Sequence, residues 1–397
     1  MTEASAERRL ANRDARPLYL DYQATTPVDP RVLEAMLPFF TEHFANPHSV
    51  EHAPGRFVAA AVEQAREELA KLINAEPRET IFTSGATESN NLALKGALRF
   101  RRAHEGRDGL VTLATEHKCI LESAEALGRE GCRITVLPVS SDGLVDLAQL
   151  EAAIDERTAL VSVMAVNNEI GVIQPLAEIA RLAHAKGAWL HSDAAQAIGK
   201  IPFDVRALDV DLVSISAHKM YGPKGVGALF VRRRPRVRLE PLFDGGGQER
   251  ALRSGTLPAP LVVGFGRAAA IARQELESER ARLWGLHRRL KQRLAAEIPG
   301  IGFNGSAEER IPGNLSIVLP GVDAQALLKN LPELALSTGS ACTSTEVEPS
   351  HVLRALGRSD AEASAALRIG FGRFSTEVDI DFAVERLVAA QRRLRAA

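Results

Sequence analysis

ALVSVMAVNNEIGVIQPLAEIARLAHAKGAWLHSDAAQ, residues 159–196, decides the fold. Ala159 to Ala165 is a continuous apolar run, as expected of a strand covered on both faces. Leu176 to Lys186 has the spacing of a helix and is closed by Gly187, the residue that most easily turns left-handed at a helix end. Ala188 to His191 then returns as a second apolar strand. The same alternation extends in both directions. Val58, Val62, Ala65, Leu69 and Leu72 mark a helix. Ile81–Thr83 is a strand that leads into a helix through Leu92, Leu94 and Leu98. Val111–Ala114, Asp211–Ile215 and Gly227–Val231 are further strands. Strands alternating with helices build a mostly parallel sheet with helices on both faces.

The pattern changes after about residue 260. An Arg- and Leu-rich helical segment is expected from Ala268 to Glu297, then short strands at Leu315–Leu319 and Leu367–Ile369. A last amphipathic helix carries Ile380, Ala383, Leu387 and Leu394. The expected organisation is a tail at 1–16, a large α/β domain at 17–267 and a smaller α+β domain at 268–397.

The chain has 397 residues, 45% hydrophobic and 25% charged, with a formal net charge of -1. That balance gives no global attraction to nucleic acid or to an anionic membrane, and neither is expected as a partner. No run of about 18 apolar residues is present, so no transmembrane helix is expected. The first 16 residues carry four arginines among Glu3, Glu7 and Asp14 and lack an apolar centre, unlike a secretory or transit signal. The three cysteines, Cys119, Cys132 and Cys342, make neither a disulfide framework nor a metal-binding pair, so a reducing, cytoplasmic setting is expected.

Four segments carry candidate chemistry. Thr83–Ser89 (TSGATES) is a small-residue turn opening a helix, where backbone N–H groups suit a phosphate. It also reads as an ordinary helix cap. Trp189–Gln196 places Asp193 at a strand end, where α/β sheets bind ligands. That aspartate suits a protonated ring nitrogen, or simply caps the next helix. Asp211–Gly225 (DLVSISAHKMYGPKG) runs from a strand into Ser216, His218 and Lys219. A lysine at a strand end is a candidate Schiff-base former, or a surface lysine. Leu336–Thr345 (LSTGSACTST) sets Cys342 among loop-forming residues, either as a nucleophile or as an inert thiol. A phosphate cradle, an acid for a ring nitrogen and a lysine for an aldehyde together specify pyridoxal phosphate.

With these segments in order, the chain resembles the cysteine desulfurases of the NifS/IscS type, within the class-V aminotransferases. The motifs are YLDYQATTP (19–27), SGATESNN (84–91), TEHK (115–118), VNNEIG (166–171), SAHKMYGPKG (216–225), GGGQERALRSGT (245–256), STGSACTS (337–344) and RIGFGRF (368–374). The resemblance implies the fold-type I, aspartate-aminotransferase-like architecture, a homodimer and a pyridoxal phosphate cofactor. It implies that Lys219 holds the cofactor aldehyde, Asp193 pairs with the ring nitrogen and Gln196 bonds the ring hydroxyl. His117 would stack on the ring and move protons. Ala86, Thr87, Ser216 and His218 would hold the phosphate, with Thr256 reaching the neighbouring subunit's phosphate. Asn168 and Arg368 would grip the carboxylate of L-cysteine. Lys219 would remove the Cα proton, and Cys342 would take the sulfur as a persulfide and leave alanine. An acceptor protein, such as an iron–sulfur scaffold or a tRNA-thiolation partner, would receive that sulfur.

The sequence departs from the family at Ala217, where glycine is common. It ends at Ala397 without the tail by which many members dock a scaffold, so the resemblance does not carry that docking mode over. A selenocysteine lyase, another lyase without a persulfide relay and an inactive scaffold are the competing readings. The basic run Arg232–Arg238 reads as a solvated edge or as a dock for an acidic partner. His48 and His52 fall in a loop with Pro47 and no nearby cysteine, so no metal site is expected. Cys119 and Cys132 read as small core residues, and His184 as a helix-face residue without a special role.

Overall fold

The computed structural model describes residues 16–338 and 349–396. Cys342 lies outside the described residues. In chain order the strands are β1 (Leu18–Tyr19), β2 (Thr80–Thr83), β3 (Gly109–Leu113), β4 (Arg133–Leu137), β5 (Thr158–Ser162), β6 (Trp189–Asp193), β7 (Leu212–Ser216), β8 (Gly227–Val231), β9 (Gly302–Phe303), β10 (Asn314–Val318), β11 (Leu334–Ala335) and β12 (Ala366–Gly370). A seven-stranded sheet runs β2-β8-β7-β6-β5-β3-β4. Its pairs are parallel except those of β8, which is antiparallel to both β2 and β7. Every residue of β2, β3, β5, β7 and β8 is buried, as continuous apolar runs require when helices cover both faces. The edge strand β4 instead exposes Arg133, Thr135 and Val136.

The helix Ala86–Glu105 lies on one face and buries Leu92, Leu94 and Leu98 against Leu160, Leu212 and Leu229. On the other face, Ala53–Leu72 packs along a 39-residue helix, Ala259–Glu297. That long helix begins nine residues before the Ala268 start expected from the sequence. Gly264 and Gly266 obscured its first turns, because glycine weakens a helical signal. Both are contact points. A Cβ on Gly266 would lie 2.4 Å from the Cα of Ala65, and one on Gly264 would lie 2.4 Å from the sulfur of Met36.

The long helix belongs to two cores. Val262, Phe265 and Ile271 join the core of the large sheet. Leu283, Leu286, Leu290 and Leu294 join a second core with Leu315, Ile317, Leu367, Ile369 and the helix Glu377–Ala396. The second core rests on the antiparallel sheet β12-β10-β9, with β1 and β11 paired in parallel beside it. A backbone bridge from Asp21 to Gly370 ties β12 to the segment that follows β1. Among the described residues, no helix is long and apolar enough to cross a membrane.

Candidate active site

The turn from β2 into the helix Ala86–Glu105 forms one end of a cavity of about 520 Å³. Gly85 caps that helix with φ +155°, a conformation that side chains disfavour. A Cβ on its neighbour Gly227 would lie 2.6 Å from the Cα of Gly85, so this approach needs glycine at 227. The first turn presents Ala86 and Thr87 to the cavity, where orphan N–H groups and the helix dipole favour an anion. Glu88 fixes the turn by accepting from the Ser84 N–H at 2.8 Å and pairing with Arg253 at 2.8 Å. Ser216 and His218 approach the same cavity from the end of β7. The His218 ring pairs with the Thr25 hydroxyl at 3.0 Å. Burial first, then the cations Lys219, Lys224 and Lys200, pulls His218 down to about 4, so it is neutral at pH 7.

Asp193 ends β6 and is 5% exposed. Asn90 donates to its Oδ2 at 2.7 Å and the Ala195 N–H to its Oδ1 at 2.9 Å. A buried carboxylate held this way is a strong partner for a cationic ring nitrogen. His117 caps the helix Lys118–Arg129. Its Nδ1 accepts from the Cys119 N–H at 3.2 Å, so the neutral ring carries its proton on Nε2. The Cys119 thiol lies 3.0 Å from the same Nδ1 and accepts from Asn90 at 3.1 Å. Glu116 is fully buried and accepts from the Met164 N–H at 2.7 Å. Burial, the largest cause, pushes its carboxyl well above the usual range.

Lys219 stands on the turn Ala217–Lys219 that follows β7. Its ammonium donates to the carbonyls of Gln23 and Ala24, the latter at 2.7 Å. The Gln196 amide donates to the same Gln23 carbonyl at 2.8 Å. Across the cavity, Arg368 reaches in from β12 and is 2% exposed. It pairs with Asp21 at 2.8 Å and donates to the Asn168 carbonyl at 3.0 Å. Its Nε is buried without a partner among the described residues. A guanidinium anchored on one side suits two-point recognition of a carboxylate.

Ala86, Thr87, His117, Asn168, Asp193, Gln196, Ser216, His218, Lys219 and Arg368 thus line one cavity. Thr256 does not line it. It sits exposed at the end of the loop 245–256. That loop is anchored at Glu249, which pairs with buried Arg66 at 2.7 Å and accepts from the Phe82 N–H at 2.7 Å. The segments flanking the Cys342 stretch meet residues next to this site. The Arg368 N–H donates to the Ser337 carbonyl at 2.7 Å. His351 meets the Glu116 carbonyl at 3.0 Å, and Ser350 donates to Glu169.

Several site neighbours were missed from sequence. Asn90, Gln23, Lys200 and Glu116 carry no local signal, since their partners are distant in the chain. Cys119 packs against the core beneath the helix Ala86–Glu105, as its sequence context suggests, and also lines the cavity. His184 pairs with Asp209 at 3.0 Å and Asp211 at 2.7 Å, tying its helix to the start of β7. These carboxylates, Asp211 foremost, raise its proton affinity. His52 caps the helix Ala53–Leu72 by accepting from the Gly55 N–H. Arg232, Arg233, Arg236, Arg238, Arg78 and Arg250 line a separate cleft of about 500 Å³.

A mostly parallel seven-stranded sheet, with a lysine after one strand, a buried aspartate ending its neighbour and a helix N-terminus facing the same cavity, defines the fold-type I class of pyridoxal-phosphate enzymes. The residues present fit that cofactor: N–H groups for its phosphate, a carboxylate for its ring nitrogen and an amine for its aldehyde. Residues 18–382 match the aminotransferase class-V family. The human cysteine desulfurase is 53% identical over 380 residues, covering 96% of this chain and 83% of the relative. A solved NifS-like protein superposes with a TM-score of 0.87 at 37% identity, covering 94% of this chain and 98% of its own. A solved structure of SspA in complex with cysteine gives 0.79 at 37% identity, covering 90% and 99%. The chain belongs to the class-V aminotransferases, among the cysteine desulfurases.

Proposed function

We propose that the protein removes sulfur from L-cysteine, releases L-alanine and holds the sulfur as a persulfide on Cys342 for transfer to an acceptor protein. The observation that carries this reading is the cavity itself. It gathers Lys219, Asp193, His117, the Ala86–Thr87 helix end and Arg368 on walls contributed by the seven-stranded and the three-stranded sheets. The complex of SspA with cysteine, a structure of like fold, supports the substrate.

Ala86, Thr87, Ser216 and His218 would hold the cofactor phosphate, Asp193 its ring nitrogen, Gln196 its ring hydroxyl and Lys219 its aldehyde. When bound, pyridoxal phosphate supplies an electron sink for charge developing at the substrate Cα. Arg368 and Asn168 orient the substrate carboxylate. Lys219 would take the Cα proton and return a proton to the product. His117, with its proton on Nε2, would move a proton at the face of the ring. The thiolate of Cys342 attacks the substrate sulfur, so a C–S bond breaks as an S–S bond forms. Alanine leaves, and no external oxidant or reductant is consumed.

The reading includes a homodimer in which Thr256 completes the neighbouring phosphate site. Exposed Leu33, Leu37, Phe40, Phe44 and Phe57, all between residues 33 and 57, support a covered apolar face. It also includes an acceptor such as an iron–sulfur scaffold, a reducing cytoplasmic setting, and the division at 267/268 with the helix Ala259–Glu297 as a common spine. The test is product analysis. With L-cysteine and a thiol reductant, alanine and sulfide should appear in equal amounts. Pyruvate and ammonia in place of alanine would indicate a lyase and refute the relay.

A further inference from the structure

Lys219 is not the only lysine whose ammonium reaches this hydrogen-bond network. Lys200 follows the short turn after β6, and its ammonium donates to Oε1 of Gln196 at 2.5 Å. The other end of that amide donates to the Gln23 carbonyl at 2.8 Å, and the same carbonyl accepts from Lys219. Two ammonium groups therefore terminate one chain: Lys200, the Gln196 amide, the Gln23 carbonyl, Lys219. Gln23 lines the main cavity and also a second cavity of about 20 Å³ behind it. Lys200 lines the rear one. It is outside the main cavity, so contact with substrate or cofactor is not its role.

We propose that Lys200 is a positioning residue for the desulfurase reaction, which orients the Gln196 amide and biases Lys219 toward its neutral, reactive form. Both halves follow from the donor inventory and from charge. Lysine offers only donors, so the Gln196 oxygen must face Lys200. Its NH2 group then faces Gln23, and one N–H remains to donate toward the cofactor hydroxyl. A second cation at the far end of the chain opposes protonation of Lys219, the device that activates lysine nucleophiles beside another cationic group.

The surroundings leave this charge effect largely intact. Around Lys200 stand Lys219 and Arg368 as cations and Glu279 as the acid. Glu279 already pairs with Arg373 at 2.8 Å, which offsets its attraction. Arg368 is likewise paired, with Asp21. Tyr22, Thr26, Tyr221 and Arg280 complete the polar wall of the rear cavity. Burial, with Lys219 next, pulls Lys200 down to about 7. The influence of Lys200 on Lys219 is thus strongest below neutral pH and fades as Lys200 loses its proton.

The inference rests on Lys219 being the aldehyde-holding lysine, and the experiment separates the two. The loaded full-length protein is titrated by absorbance, and the pH dependence of trace acetylation of Lys219 is followed by mass spectrometry in the cofactor-stripped chain. Lys219→Ala tests the assignment: loss of the pH-dependent band supports it. In Lys200→Met the proton affinity of Lys219 below pH 7, where Lys200 is charged, should rise about tenfold, so that both Lys219 midpoints move up by as much as about one unit. Lys200→Arg, which keeps donors and stays charged at every working pH, should hold both midpoints at or below the wild-type values. Lys200→Gln, which keeps a donor without charge, should shift as methionine does if the methionine variant fails to fold. Midpoints unchanged in both neutral variants, with the Lys219 band intact, would overturn the proposal.

Discussion

Replacing Arg368 with lysine tests the substrate grip most sharply, because it keeps the charge and removes the fork. In the structure the guanidinium is 2% exposed and already makes a salt bridge to Asp21 at 2.8 Å and a hydrogen bond to the Asn168 carbonyl at 3.0 Å. Lysine would keep one or the other of these and could offer a carboxylate only one contact. The loss is one charge-assisted hydrogen bond, roughly 1.5–3 kcal/mol. At 1.4 kcal/mol per decade, KM for L-cysteine should rise about 10- to 150-fold. The rate at saturating cysteine should change far less, since the contact is made before and during the chemistry alike. Steady-state alanine release over a range of cysteine concentrations reads both constants, and a thermal melt controls for folding. A KM within about threefold of wild type in a normally folded variant would refute the two-point grip.

Two other perturbations probe the frame of the site. Glu249→Ala leaves the Arg66 guanidinium buried without its 2.7 Å partner, and should cost about 3–5 kcal/mol in urea unfolding. Cofactor retention on gel filtration should fall in the same variant if loop 245–256 completes the neighbouring site. Acid should also destabilise the fold. Burial holds His191 near 3 and His287 near 4, while the unfolded chain takes up protons near 6.5. Their contribution is therefore complete above pH 6.5 and lost progressively below it, by roughly 2 kcal/mol per histidine at pH 5. Urea midpoints at pH 7 and pH 5 measure this. His287→Asn, whose amide can replace the 2.9 Å bond to the Pro312 carbonyl, should flatten the dependence.

Sequence periodicity carried the α/β class because buried parallel strands are continuous apolar runs with helices between them. It could not give strand direction: Gly227–Val231 reads the same either way, and its antiparallel placement between β2 and β7 emerges only from pairing. The long helix was shortened because Gly264 and Gly266 lower the local helical signal, although both are there so that Met36 and Ala65 can approach. Ala86, Thr87, Asp193, Ser216, His218 and Lys219 were legible as candidates because each sits at or just after a strand end or at a helix start, whereas His117, Asn168, Gln196 and Thr256 came only from the family resemblance. Their supports were not. Asn90 reaches Asp193 across 103 positions, and Arg368 reaches Asp21 across 347, so no window of sequence joins them. Cys119 read as core because it is a small apolar residue in the first turn of an amphipathic helix, and it does pack there. Only the His117 cap geometry shows its thiol beside the ring.

The central claim is that Cys342 receives the sulfur. Its most direct test is a single turnover with isotopically labelled L-cysteine, followed by mass spectrometry of the intact chain and of the peptide containing residue 342. One labelled sulfur should appear on Cys342 for each alanine formed, while Cys342→Ser should bind L-cysteine and the cofactor yet accumulate neither persulfide nor sulfide. Label on Cys119 or Cys132 instead, or full sulfide release by the serine variant, would contradict the account.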